Sequence, residues 1–178
     1  MVVARAIGLD DLFQSGGRDW TDVTAARPHA ALRPRPDSGA EGVLLALEAD
    51  PQDRLAWIAA HVRTVNPDTG LSTDFLNQYN ELSMLLDLAA DDPDLLEELR
   101  DWEPRSYDAH FAASGFRDSA LVVEAYHLSP APVRAEFDAA IGVLNSVAAS
   151  GIRALLGDSA PDTGAIRALA AELQAAIV

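Results

Sequence analysis

An all-α fold, a compact helical bundle of about six to eight helices behind a flexible N-terminal arm, is what the sequence predicts. Three observations carry that expectation. After residue 40, apolar residues recur at three- and four-residue spacing and no segment alternates with period two. Helix-start signals are dense: Ser38-Gly39-Ala40-Glu41 has the form of a capping box. Asp50-Pro51, Asp92-Pro93 and Ser129-Pro130 each set a capping side chain before a proline suited to the first helical position. The composition also divides the chain, because residues 1–39 carry five acids and five arginines while the formal charge of −15 belongs to the remainder.

The elements follow in order. Leu9-Asp10-Asp11-Leu12-Phe13 reads as one amphipathic turn able to dock on the body or on a partner. Residues 16–39 are rich in Gly, Pro, Arg and Asp, and Arg33-Pro34-Arg35-Pro36 favours extended backbone, so residues 1–39 are expected to be arm and linker. Residues 40–178 are expected to be a single all-α domain, with helices over 40–49, 51–65, 73–90, 93–102, 106–114, 117–127, 130–156 and 163–177. Asn66-Pro67-Asp68-Thr69-Gly70 reads as a turn, and Gly115 and Gly157 stand where left-handed helix ends would fall. In 73–90, Phe75, Tyr79, Leu82 and Leu86 form a stripe that Met84, Leu85 and Leu88 widen, which predicts a buried helix. In 130–156, Val133, Phe137, Ile141, Leu144, Ile152 and Leu155 alternate with small residues, from Ala139 to Gly151, that would admit a close helix neighbour.

Composition excludes more chemistry than any motif establishes. The chain has 13 arginines, no lysine and no cysteine. Schiff-base chemistry, a phosphate-loop lysine, thiol nucleophiles and zinc-thiolate sites therefore lack their essential side chain. No apolar run approaches the roughly 20 residues that span a bilayer, and no export signal is legible at the start, so a cytoplasmic location is expected.

Four constellations remain as candidates. Residues 87–103 hold eight acids against one base, Arg100, and Asp91, Asp94, Glu97, Glu98 and Asp101 would present a surface to a basic protein partner. The adjoining aromatic-rich stretch adds Trp102, Arg105, Tyr107, His110 and Phe111 to that interaction surface; five of the 11 aromatics fall within 25 residues. Asn77, Asn80 and Glu81, with Gln78, form a polar set inside an apolar helix and predict either a buried polar cluster or a ligand cavity. Glu124 and His127 share a helix face at the spacing used by carboxylate-bridged metal bundles, with Glu81 as a third ligand, although that motif occurs once where such bundles use two. A fifth pattern, His61 followed by Arg63, would suit a histidine phosphotransfer domain.

These features favour a non-catalytic, acidic, helical protein-interaction module of adaptor or regulatory type. It would need no cofactor, would bind no nucleic acid directly because of net repulsion, and could form a homodimer. The alternative is a bundle enzyme or ligand carrier with a carboxylate-histidine site, and after it the phosphotransfer reading.

Overall fold

A computed structural model describes residues 9–13, 50–157 and 162–177. It contains seven α-helices among these residues: α1 (Leu9–Phe13), α2 (Pro51–His61), α3 (Asn77–Ala89), α4 (Tyr107–Ala113), α5 (Ser119–Leu128), α6 (Ala131–Leu155) and α7 (Thr163–Ile177). Two 3₁₀ segments, Thr73–Leu76 and Pro93–Leu99, flank α3. No strand occurs among the described residues, where Val65 and Ser72 form one isolated bridge. The fold class is the one expected.

Local chemistry explains most boundaries. Asp50 accepts from the Gln52 amide at 2.9 Å and Pro51 opens α2, so the first Asp-Pro pair acts as read. The helix stops at His61 rather than residue 65, and Val62 is already extended (φ −112°). In the turn that follows, Asn66 Oδ1 accepts from the Asp68 and Thr69 amides at 2.8 and 3.0 Å. Gly70 has φ +74°, and a Cβ there would lie 2.6 Å from the Ala125 carbonyl, so the position requires glycine. Asp92 accepts from the Asp94 amide at 3.3 Å, yet residues 93–99 wind as a 3₁₀ segment. Two expected caps fail. Ser129 turns its hydroxyl back to donate to the Ala125 carbonyl at 3.2 Å and does not cap α6, and Gly157 is not among the described residues with positive φ.

The core forms where α3, α6 and α7 meet. Phe75, Tyr79, Leu82 and Leu86 are buried as the stripe predicts, and Ser83 donates to the Ala170 carbonyl of α7 at 3.2 Å. The apolar side chains expected to widen that stripe behave differently: Met84 and Leu88 are 66% and 60% exposed. On α6, Val133, Phe137, Ile141, Leu144, Ile152 and Leu155 are all buried. The close neighbour foreseen from its small residues is α7, since a Cβ on Gly151 would lie 2.4 Å from the Leu169 side chain. Packed on this centre is a second layer of α2, α4 and α5, tied by Arg54 of α2 to Glu124 of α5.

The turn expected at residues 9–13 is helical and docks on the body. Leu9 and Leu12 are buried, Phe13 sets its ring edge-on to Phe137 at 6.0 Å, and Asn66 donates to the Phe13 carbonyl at 2.9 Å. The linker expected at 16–39, the capping box at 38–41 and the helix at 40–49 lie outside the described residues.

Candidate functional site

The acidic stretch lies on one surface of the molecule. Leu96 and Leu99 bury the underside of the 3₁₀ segment, which leaves Asp94, Glu97, Glu98 and Asp101 exposed. Glu97 and Arg100 pair through both oxygens at 3.0 Å, which holds the Glu97 carboxyl below its usual range, first through the hydrogen bonds and then through the charge. Asp91 accepts from Arg167 of α7 at 2.7 Å. Beside this segment, Met84 and Leu88 stand one helical turn apart on α3, with Asp87 exposed between them in sequence.

The aromatic segment divides between core and surface. Tyr107 and Phe111 are buried and so do not belong to an interaction surface, which corrects the expectation for both. Tyr107 stacks on Phe75 and Tyr126 at 5.0 and 4.3 Å, and its hydroxyl accepts from the Ser72 amide at 2.9 Å. Burial pushes the Tyr107 phenol up, as it does Tyr79, whose hydroxyl donates to Asn145 Oδ1 at 2.5 Å. His110 is half-buried against Phe75. Its Nε2 donates to the Asp74 carbonyl at 3.1 Å, while Nδ1 is buried without a partner. Desolvation holds its pKa below the ordinary value. Trp102 is half-buried and Arg105 exposed, and both remain on the surface as expected.

The polar set of α3 resolves around a different member. Asn77 and Glu81 are exposed and Asn80 is half-buried, so the three do not form a buried cluster or line a cavity. The buried residue is Gln78, whose Oε1 accepts from the Arg105 amide at 2.8 Å and whose Nε2 donates to the Arg105 carbonyl at 3.4 Å. One core side chain thus holds both backbone groups of a surface residue and fixes the extended segment 102–106. Gln78 was not set apart from the other three in sequence, although its place three residues after Phe75 and four before Leu82, on the buried stripe, was the available signal.

The carboxylate-histidine site does not assemble. Glu124 is held by Arg54 through both oxygens at 2.7 Å, His127 faces Asp108 at 3.1 Å, and Glu81 is exposed on α3. Among the described residues no group of three or more His, Asp or Glu side chains is placed to hold a metal. His61 ends α2 stacked on Trp57 at 4.2 Å, with Nδ1 donating to the Trp57 carbonyl at 2.7 Å.

Two open hollows adjoin the extended segment. The larger, about 530 Å³, lies between Arg100, Trp102, Glu103 and Pro104 on one side and Ala149, Ile152, Arg153 and Leu156 on the other. The smaller, about 330 Å³, continues past Pro104 and Arg105 to Tyr126, Asp138, Gly142 and Asn145. Arg153 was not singled out from sequence, although it is the one charged residue between Asp138 and Asp158. Comparison with protein-family models, with curated proteins and with solved structures yields no match to this chain, so its function is argued from the geometry above.

Proposed function

We propose that this chain is a non-catalytic protein-interaction module whose acidic face takes a basic, amphipathic segment of another protein. The observation that carries the reading is the exposure of Met84 and Leu88. Two large apolar side chains one turn apart make an anchor for a partner helix, and Met adapts readily to different surfaces. Asp87, Asp92, Asp94, Glu98 and Asp101 lie along α3 and the adjoining 3₁₀ segment, all exposed. They select a partner of opposite charge and speed encounter with it.

The test is a titration with a synthetic amphipathic helix of Leu and Lys, beside a matched helix of Leu and Glu. The Leu/Lys peptide is expected to bind more weakly as salt rises, and Met84→Ser with Leu88→Ser, which removes the apolar anchor and leaves the charge unchanged, is expected to weaken it roughly tenfold or more. Equal binding by the double variant, or equal binding of the Leu/Glu peptide, would overturn the reading. Because both substituted residues are exposed, the variant keeps its core.

A further inference from the structure

The larger hollow has a composition the acidic-face reading does not use. Its walls are apolar at Trp102, Pro104, Ala149, Ile152 and Leu156. Three charged residues border it. Arg100 is already engaged by Glu97, whereas Glu103 on one wall and Arg153 on the other form no ion pair among the described residues. Opposite charges thus border a hollow of mixed polar and apolar lining, one on each side, and do not neutralise each other.

The walls are fixed before any ligand arrives. Gln78 grips the backbone of Arg105, the residue after Pro104, and Tyr79 holds Asn145, one turn before Ala149 on α6, so the segments that carry both walls are tied to α3 beside the hollow. The groove is therefore preorganised, which limits the ordering cost of binding. Its volume falls in the range of small-molecule sites. A simple anion meets opposition here from the net charge of −15 and from Glu103 itself.

The geometry points to a hydrophobic zwitterion of dipeptide size as the ligand. Its carboxylate meets Arg153, its ammonium meets Glu103, and its side chains lie on Trp102, Ile152 and Leu156. The guanidinium suits the carboxylate because it offers two parallel donors. Such a ligand adds no net charge to the protein and satisfies both unpaired groups together.

Calorimetric titration with the dipeptide Leu-Leu tests this, with N-acetyl-Leu-Leu and Leu-Leu-amide as probes that each lack one charge. Leu-Leu is expected to bind one per chain, and each blocked form about fivefold more weakly, the scale of an exposed ion pair. In Arg153→Gln, Leu-Leu and its amide should bind alike. In Glu103→Gln, Leu-Leu and its acetylated form should bind alike. Ala149→Trp, a change at an exposed position, should fill the hollow and abolish binding. Absence of Leu-Leu binding to the wild-type chain, indifference to both blocking groups, or full binding to Ala149→Trp would each overturn the proposal. None of these outcomes bears on the Met84 and Leu88 face, because no substituted residue belongs to it.

Discussion

Gln78, Gly70 and His110 show how single side chains join the core to the surface. Replacing Gln78 with Leu would leave the Arg105 amide and carbonyl without their core partner, and a loss of about 1–3 kcal/mol is expected by urea unfolding. Asn80→Leu, at a half-buried position of the same helix with no such pair to break, should cost clearly less. For Gly70→Ala the positive φ and the 2.6 Å approach to the Ala125 carbonyl act together, and a loss of about 2 kcal/mol or more should appear as a lower melting temperature. His110 gives a pH dependence. Its pKa is depressed in the folded state chiefly by desolvation, with Arg105 also lowering it and Asp74 and Glu81 raising it. The unfolded chain therefore binds the proton more readily. Stability is fully present above the ordinary histidine value of 6.5 and falls as pH drops through it toward the folded value. The urea midpoint should decline over that interval, and the decline should shrink in His110→Gln.

At the scale of elements, α1 tests how much of the core comes from the N-terminal segment. Leu12 is fully buried, so Leu12→Ala should cost about 2–4 kcal/mol, measured by chemical denaturation, if its five-residue helix is an integral part of the fold. Helix positions were legible because proline and capping side chains mark their starts and the 3–4 apolar spacing marks their length. Asp50 and Asp92 cap where read, and the α3 and α6 stripes are buried as drawn. Pattern alone was less informative about hydrogen-bond register, so residues 93–102 read as an α-helix although residues 93–99 wind as a 3₁₀ segment. Ser129 looked like a cap because its alternative partner, the Ala125 carbonyl, lies in the preceding helix. The candidate sites were legible in residue type and less so in place. Tyr107 and Phe111 were correctly grouped yet face inward, and Glu124 met an arginine 70 residues away that no spacing rule connects to it.

For the whole molecule the charge of −15 sets two opposite salt effects. Screening shortens the reach of repulsion among like charges to about 8 Å at physiological ionic strength, so the melting temperature of the isolated chain should rise with added salt. The same screening weakens attraction to a basic partner. Measured side by side, a rising melting temperature and a falling peptide affinity would separate self-repulsion from recognition. A fall in both would refute the view that self-repulsion limits stability.

The Arg105 amide combines a surface address with a core bond. It lies in an extended segment outside every helix, where backbone N–H groups ordinarily trade their protons with solvent quickly, yet its acceptor is a buried side chain of α3. Deuterium uptake at this one position should therefore be slow and should track opening of the α3 contact. Residue 105 becomes a built-in clock for the grip of α3 on segment 102–106: whatever steadies that contact will lengthen its exchange time.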